Sequence, residues 1–318
     1  MAVIALDIGG TKVEGAVVAP DGSIMVSLRT LHGDRVGLAV GEEAAEMVGS
    51  LLVQAKALDV DITAVGVCVP GIVNREAGSV WAPNIPGWEC FPLRDVLLRV
   101  LPHDVPVFID SDRSCCIYGE TWLGAAAGVQ NAVFVAVGTG IGLGIKIDGH
   151  VLHGFGDIVG AGGWLALKPP YHNKYDACGC LEYYASGNGI GARARDLLAQ
   201  GHTGCMLPGA KSVDEITSHD VFAAYDADDD VARAVLHRAV ELWGMLAANL
   251  VSLLNPEVIV WGGGVFGPAT RFIDDIRTEA AKWAQPVAME QVRLIASRTT
   301  HNAILSGAAY IALNHNSL

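Results

Sequence analysis

The sequence is poor in charged residues, and basic residues are scarcer than acidic ones. Of its 318 residues only 17% are charged, with 21 Lys and Arg against 34 Asp and Glu, giving a net charge of −13. A nucleic-acid-binding surface needs a basic face, so this balance argues against a DNA- or RNA-binding protein. Nucleotide binding stays open, because backbone amides and one Mg²⁺ are able to hold phosphates.

Long apolar runs are also missing. No run is long enough to span a bilayer, and the first residues lack the pattern of a signal peptide. The seven cysteines are an odd number, so the reducing cytoplasm is the expected setting. No linker or low-complexity segment interrupts the chain, whose length suffices for two domains. The 38 glycines and 51% hydrophobic residues indicate a glycine-rich α/β protein.

The glycines near the N-terminus predict a phosphate-binding turn. Gly9 and Gly10 lie between two apolar stretches that read as strands, not before a helix, which excludes a dinucleotide or Walker-type loop. Backbone N–H groups without a nearby Cβ are able to contact an anion. Asp7 is a candidate to hold Mg²⁺ through water, and Thr11 and Lys12 are candidates for phosphate contacts. An ordinary glycine hairpin is the alternative interpretation.

The same pattern recurs after residue 130. An apolar strand over 131–137 leads into a glycine turn, followed by a strand over 143–147 and an Asp-Gly turn. The second turn contains Gly138, Thr139, Gly140, Ile141 and Gly142. We therefore predict an internal duplication whose two glycine turns face one another across a cleft and hold one polyphosphate. A third glycine turn, 262–264, follows a further strand.

The remaining pattern alternates strands and helices. Apolar residues spaced three and four positions apart predict a long helix over 228–254. Further strands are predicted over 64–69, 105–109, 258–261 and 292–296, and further helices over 41–58, 92–101, 113–123, 181–200 with a break at 187–191, 270–284 and 302–313. Residues 171–182 are expected to be irregular, and 201–217 to form a loop.

Taken in order, several motifs resemble the ROK family of sugar kinases and sugar-responsive repressors, within the actin-like ATPase superfamily. The matching stretches are 7–12, 69–71, 82–85, 138–142, 179–182, 253–257 and 262–264. The resemblance implies a two-lobed α/β fold of the actin-like, ribonuclease H-like type, with duplicated units around a central cleft. We expect a small lobe of residues 1–112 plus 302–318, and a large lobe of residues 113–301.

The resemblance also implies roles for individual residues. Asp112 matches the catalytic aspartate, which accepts the proton of the sugar hydroxyl; capping the helix after it is the alternative. The positions that match the sugar site are Gly71, Asn84, Ser111, Asp112 and Glu182. The nucleotide side is matched by Gly138, Thr139, Gly140, Gly142, Gly262, Gly263, Gly264 and Val265, with Asn302 as a weaker candidate.

Several positions depart from the family pattern. Ser111 and Ser114 stand where the family pattern has asparagines. Gly163 stands in place of a glutamate that binds ring hydroxyls, and Ala166 in place of a histidine. Losing a carboxylate and an imidazole weakens selection for plain glucose, so an amino or otherwise modified hexose, or a cyclitol, is expected. Trp164 is either part of the altered sugar-site wall or a core residue.

The structural zinc motif of the family is mostly lost. Only Gly179-Cys180 remains of it, and His172, Cys178 and Cys180 are too few and awkwardly spaced as ligands. We therefore expect no zinc.

The leading hypothesis is a cytoplasmic, homodimeric, ATP- and Mg²⁺-dependent kinase that phosphorylates the 6-hydroxyl of a modified or amino hexose. A C7-cyclitol kinase, an ordinary glucokinase and a polyphosphate-dependent kinase are alternatives. A sugar-sensing repressor and a non-catalytic sugar-binding protein are the rivals from other classes. The repressor is disfavoured because no helix-turn-helix precedes Asp7 and the net charge is negative.

Overall fold

The computed structural model describes residues 1–202, 212–298 and 303–315. The chain divides into two compact units. Unit 1 comprises Met1–Gly128, Gly149–Val159 and Arg298–Leu318, and unit 2 comprises Val129–Asp148 and Gly160–Ser297. The predicted lobe boundary at residue 112 falls within unit 1. Asn302, the weaker nucleotide candidate, lies outside the described residues.

Strands and helices alternate along most of the chain. The strands are β1 (Ala2–Ile8), β2 (Lys12–Val18), β3 (Ile24–Leu31), β4 (Ile62–Val69), β5 (Ile72–Asn74), β6 (Ser79–Trp81), β7 (Val107–Ser111), β8 (Ala132–Val137), β9 (Ile141–Ile147), β10 (His150–Val151), β11 (Val258–Gly262) and β12 (Arg293–Ala296). The α-helices are α1 (Leu38–Ala57), α2 (Leu93–Leu98), α3 (Asp112–Trp122), α4 (Cys180–Ala185), α5 (Gly187–Ala199), α6 (Ser218–Asp226), α7 (Asp230–Leu254), α8 (Ile273–Ala280), α9 (Pro286–Gln291) and α10 (Ala303–Leu313).

Two five-stranded sheets share one topology. Their strand orders are β3-β2-β1-β4-β7 and β10-β9-β8-β11-β12. In the first sheet β1 pairs antiparallel with β2 and parallel with β4, and β4 is parallel to β7. In the second, β8 pairs antiparallel with β9 and parallel with β11, and β11 is parallel to β12. The matching order and directions show the duplication that the two glycine turns predict.

Helix α3 belongs to unit 1, because α10 of that unit packs closely on it. A Cβ on Gly307 would lie 1.8 Å from the carbonyl oxygen of Cys115, and one on Gly119 would lie 2.1 Å from that of Ala303. Both positions therefore need glycine for the two helices to approach so closely. This packing is the physical reason that the division of the chain does not follow residue 112.

Several short elements were not predicted from the sequence. They are the hairpin β5–β6, with three residues in each strand, and the helices α6 and α9. The break between α4 and α5 falls at Ser186, earlier than predicted, because its side chain caps α5 by accepting a hydrogen bond from Gly189 N. Within the described ranges, no helix combines the length and apolar character needed to cross a membrane.

Candidate active site

The predicted site residues fall into two groups. Unit 1 contains Asp7, Gly9, Gly10, Thr11, Lys12, Gly71, Asn84, Ser111 and Asp112, and unit 2 contains Gly138, Thr139, Gly140, Gly142, Glu182, Gly262, Gly263, Gly264 and Val265.

The first glycine turn joins β1 to β2 in unit 1. Gly9 N donates a hydrogen bond to the carbonyl oxygen of Lys12 at 2.9 Å, which closes the turn. A Cβ on Gly10 would lie 2.9 Å from the carbonyl oxygen of Asn84, so the turn packs closely against this residue. The structure thus brings a predicted phosphate turn and a predicted sugar contact together.

A buried histidine, His32, contacts the backbone of this turn. His32 is 3% exposed; its Nε2 lies 2.8 Å from the carbonyl oxygen of Gly9, and its Nδ1 lies 2.6 Å from Glu43 Oε2. The backbone N–H of His32 also donates to the carbonyl oxygen of Thr11. Two contacts to the turn backbone restrict its conformation. Sequence reasoning missed His32, because nothing in the local pattern marks a contact 23 residues away.

Asp7 lies near the end of β1, and the nearby positive charge does not offset the burial of its carboxylate. Its side chain is 17% exposed, and Lys12 Nζ lies 3.9 Å from Oδ2 but only 2.5 Å from Glu14 Oε2. Burial raises the pKa of Asp7 to about 6, more than the charge of Lys12 lowers it. A desolvated carboxylate of this kind fits a divalent cation, because Mg²⁺ prefers oxygen ligands and would favour the ionised form.

Replacing Asp7 by Asn should stabilise the protein at pH 7. The pKa of Asp7 is raised from 3.8 to about 6, so the ionised form is disfavoured in the folded state, at about 1.4 kcal/mol per pKa unit. We expect a gain in unfolding free energy of about 1–3 kcal/mol at pH 7. The gain should shrink as the pH falls from about 6 and disappear below about 4, where Asp7 is protonated in both states. Urea unfolding at pH 4, 5, 6 and 7 measures this, and equal or lower stability of Asp7→Asn at pH 7 would contradict it.

Asp112 is the first residue of α3, directly after β7. The cap of this helix is Ser111, whose hydroxyl accepts a hydrogen bond from Ser114 N, so the interpretation of Asp112 as the cap is wrong. Both serines are buried, and their hydroxyl oxygens lie 3.2 Å apart. The Asp112 side chain is 48% exposed, and its Oδ1 accepts from Arg113 N at 2.8 Å. This leaves the carboxylate available to a substrate.

The electrostatic surroundings of Asp112 are mixed. Desolvation raises its pKa, and the positive charge of Arg113 opposes that shift. The negative charge of Asp112 also raises the pKa of Asp7, so the two carboxylates influence one another. The phosphate turn and the predicted base are therefore electrostatic neighbours within unit 1.

A charged network holds the segments next to Asp112. Arg113 Nη2 donates to the carbonyl oxygens of Gly71 and Asp157, at 3.1 and 3.3 Å. Arg75 Nη2 lies 2.7 Å from Asp110 Oδ1, and His153 Nε2 lies 3.2 Å from Asp110 Oδ2. Burial raises the pKa of Asp110, but the partners His153 and Arg75 outweigh it and hold the pKa below its usual value.

This network is also a geometrically possible metal site. Asp110, His153 and Asp157 place their ligand atoms within 4.8 Å of one another, the one such group in the part of the chain that is described. However, the Arg75 guanidinium contacts Asp110 at 2.7 Å and lies 3.5 Å from Asp157, so it already supplies positive charge there. The network therefore holds Gly71 and the start of α3 in position. None of its contacts was predicted from the sequence.

The second glycine turn joins β8 to β9 in unit 2 and is tied to Glu182. Ile141 N donates to Glu182 Oε2 at 2.7 Å. A Cβ on Gly140 would lie 2.5 Å from Glu182 Oε2, and one on Gly163 would lie 2.7 Å from it. The carboxylate therefore occupies space that both glycines leave free. Burial raises the pKa of Glu182, more than the hydrogen bond from Ile141 lowers it.

A cavity of about 780 Å³ in unit 2 is lined by four of the eight predicted nucleotide residues. Its lining includes Gly138, Thr139, Gly264 and Val265, together with Arg195, His219 and Phe222, which were not predicted. Gly263 has a φ of 88°, and a Cβ there would lie 2.5 Å from the carbonyl oxygen of Val137, so the third turn packs on the end of β8. Gly142 and Gly262 are strand residues of β9 and β11. The cavity size suits a nucleotide-sized ligand.

The region of the lost zinc motif contains a second, smaller cavity. Trp164 is 57% exposed, which decides against a core position. It lines a cavity of about 420 Å³ with Ala166, Tyr171 and Cys180. His172 is exposed, and Cys178 is half-buried with its Sγ 3.8 Å from the carbonyl oxygen of Gly179.

The duplicated sheets and these glycine turns define an α/β protein of the actin-like ATPase type, as predicted. The ROK family profile matches residues 3–315. The chain therefore belongs to the ROK family, and this part of the sequence prediction is confirmed.

Individual relatives cover nearly the whole chain. A glucokinase from Halalkalibacterium halodurans is 28% identical over 320 residues, covering 99% of this chain and 96% of the relative. An N-acetylmannosamine kinase from Escherichia fergusonii is 30% identical over 317 residues, covering 98% of each. A xylose repressor from Caldicellulosiruptor bescii is 27% identical over 257 residues, covering 80% of this chain and 63% of the repressor.

A solved structure agrees with this assignment. The crystal structure of a ROK family glucokinase from Streptomyces griseus in complex with glucose and AMPPNP has a TM-score of 0.76 and 26% identity. The match covers 98% of this chain and 99% of the glucokinase. The α/β fold class predicted from the sequence is thereby confirmed.

Proposed function

We propose that this protein is an ATP-dependent kinase that phosphorylates the primary 6-hydroxyl of a hexose-like substrate. The observation that carries the proposal is the position of Asp112, half-exposed at the start of α3 and in electrostatic contact with Asp7 beside the phosphate turn. A sensor that only binds sugar has no need of a base there. The similarity to a glucokinase and to an N-acetylmannosamine kinase supports a sugar as acceptor.

In the proposed reaction Asp112 accepts the proton of the sugar hydroxyl. The hydroxyl oxygen then attacks the γ-phosphorus of ATP, its bond to phosphorus forms, and the bond to the β-phosphate oxygen breaks to release ADP. Asn84 lies against the phosphate turn and is suited to sugar hydroxyls, because an amide both donates and accepts. Gly71 and Ser111 shape the same region through backbone position and helix capping.

The nucleotide is assigned to the cavity of about 780 Å³ in unit 2. Gly138 of the second glycine turn and Gly264 of the third line this cavity, and a Cβ at either position would meet no other atom of the described residues within 4 Å, so the backbone there is open to a phosphate. In unit 1, Asp7 would hold Mg²⁺ through water, and the cation would neutralise phosphate charge when bound. Thr11 and Lys12 are proposed as further phosphate contacts.

The substrate is proposed to be an amino or otherwise modified hexose. Gly163 and Ala166 carry no group that selects a hydroxyl, and Glu182 fills the space beside Gly163. Exposed Trp164 offers an apolar surface nearby, since it lines a cavity together with Ala166. The proposal includes a homodimer, for which the exposed apolar residues Leu253, Trp283 and Val287 of unit 2 are available.

ADP release with Mg²⁺-ATP over a panel of acceptors tests the proposal. The panel contains glucose, mannose, their 2- and 3-amino and N-acetyl forms, and a C7 cyclitol, with polyphosphate as an alternative donor. An amino or N-acetyl hexose with kcat/KM well above glucose is the expected result. Glucose or the cyclitol as best acceptor would overturn the substrate assignment but not the kinase. No turnover with any acceptor, although ATP binds, would favour a non-catalytic sugar-binding protein.

A further inference from the structure

The side chain of His32 links α1 to the first glycine turn in unit 1. The residue follows β3 and is 3% exposed. Its Nδ1 lies 2.6 Å from Oε2 of Glu43, a buried residue of α1. Arg35 Nη1 donates to the other oxygen of this carboxylate at 3.1 Å. The imidazole ring is therefore anchored to a helix through one nitrogen, which gives the second nitrogen a defined direction.

The second ring nitrogen donates to the turn. Nε2 lies 2.8 Å from the carbonyl oxygen of Gly9. A carbonyl oxygen only accepts hydrogen bonds, so Nε2 carries the hydrogen of this contact. The backbone N–H of His32 donates to the carbonyl oxygen of Thr11 at 2.9 Å. One residue thus holds the carbonyl groups on both sides of Gly10.

The contact to Gly9 sets the direction of a backbone N–H group. In a trans peptide, the C=O of one residue and the N–H of the next point in opposite directions. The carbonyl oxygen of Gly9 faces buried His32, so the N–H of exposed Gly10 points away from the histidine. Within the described ranges, no group of the protein accepts a hydrogen bond from this N–H. It is therefore available to an anion.

The turn does not fix this orientation by itself. Rotating the peptide group changes ψ of Gly9 and φ of Gly10, and glycine has the widest range of both torsions. A residue with a Cβ would restrict the rotation, but a Cβ on Gly10 would lie 2.9 Å from the carbonyl oxygen of Asn84. The orientation therefore depends on a hydrogen bond from outside the turn, and His32 supplies it.

We propose that His32 is a positioning residue for the nucleotide, whose Nε2–H keeps the Gly9–Gly10 peptide turned so that the Gly10 N–H donates to a phosphate oxygen of ATP. The proposal rests on the proposed kinase function, because it takes ATP as the anion. A phosphate oxygen is a charged acceptor, and backbone N–H groups of glycine turns are suited to it. The buried His32 side chain acts only through the turn.

Two amide variants separate the contact to the turn from the contact to Glu43. In His32→Gln the amide nitrogen stands at the ε position and is able to donate to the Gly9 carbonyl. In His32→Asn it stands at the δ position, toward Glu43, and leaves the Gly9 carbonyl without its donor. A role limited to burying and pairing Glu43 would therefore favour His32→Asn, whereas the proposed role favours His32→Gln.

Calorimetric titration of the full chain with Mg²⁺ and AMPPNP measures nucleotide affinity without turnover. We expect His32→Asn to weaken binding by about tenfold or more, the usual effect of losing one charge-assisted hydrogen bond, and His32→Gln to weaken it much less. His103→Gln is the control, because His103 is exposed between α2 and β7, and it should bind like the unaltered protein.

Hydrogen exchange of the Gly9 N–H reports the turn itself, without any nucleotide. This N–H donates to the carbonyl oxygen of Lys12 at 2.9 Å, so its protection falls when the turn opens. NMR on protein with labelled glycine measures the rate. Exchange in His32→Asn should be about tenfold faster than in the unaltered protein, and His32→Gln should stay close to the unaltered rate.

The two measurements distinguish a failure of this inference from a failure of the proposed function. Equal exchange and equal affinity in the two amide variants would overturn the role of His32, as would weaker binding by His32→Gln than by His32→Asn. Faster exchange in His32→Asn without weaker binding would overturn the phosphate contact. If the unaltered protein binds no nucleotide, the proposed function and the phosphate contact both fail, and the exchange rates still decide whether His32 restrains the turn.

Discussion

Replacing Asp112 by Asn should lower kcat by about 10²- to 10⁴-fold, the usual contribution of a general base. The amide is nearly the same size, and its oxygen is still able to accept the hydrogen bond that Asp112 receives from Arg113 N. It cannot accept the proton of the sugar hydroxyl. Steady-state kinetics on the best acceptor of the panel, together with thermal unfolding, give both quantities. We expect the midpoint of unfolding to change little.

Asp95→Asn is a matched control for this experiment. Asp95 lies in the first turn of α2, as Asp112 lies in the first turn of α3, but Asp95 is exposed and has no place in the proposed site. Its kcat should equal that of the unaltered protein. Activity of Asp112→Asn within a few-fold of the unaltered protein would remove Asp112 from the mechanism. A large fall in unfolding temperature would instead indicate a structural role.

The parts of the molecule that sequence reasoning predicted are those with short-range signals. Gly9 and Gly10 lie between two strand patterns, and residues 138–142 repeat this arrangement, so the duplicated sheets follow from local composition. Four of the predicted nucleotide residues line one cavity because they follow neighbouring strands of the same sheet. Gly138 and Thr139 come after β8, and Gly264 and Val265 come after β11.

The contacts that sequence reasoning missed join distant parts of the chain. His32 contacts Gly9, and Asp157 accepts a hydrogen bond from Val73 N, 84 residues away. No local pattern encodes such pairs, since only the packing of the elements brings them together. The cap of α3 was misjudged for a different reason. Ser111 and Asp112 are both good capping residues, and the extended backbone of Ser111, with ψ of 156°, decides between them.

Substitution of Glu182 is the second change for which we expect a large effect on kinetics. The two roles assigned to this residue predict effects on different KM values. The sequence resemblance assigns it to the sugar, whereas in the structure its Oε2 accepts from Ile141 N in the second glycine turn at 2.7 Å. If the carboxylate holds this turn, Glu182→Ala should raise the KM for ATP by about 10- to 100-fold, the loss of one charge-assisted hydrogen bond. The KM for the sugar should change much less.

Glu182→Gln separates the loss of charge from the loss of the contact. Its amide oxygen is still able to accept from Ile141 N, so we expect an effect on the KM for ATP that is clearly smaller than that of Glu182→Ala. Glu290→Ala, an exposed position on α9, is the control and should change neither KM. A rise in the KM for the sugar alone would assign Glu182 to the acceptor after all. In that case the glycines at 140 and 163 would serve to admit a sugar-binding carboxylate, not to let it brace the nucleotide turn.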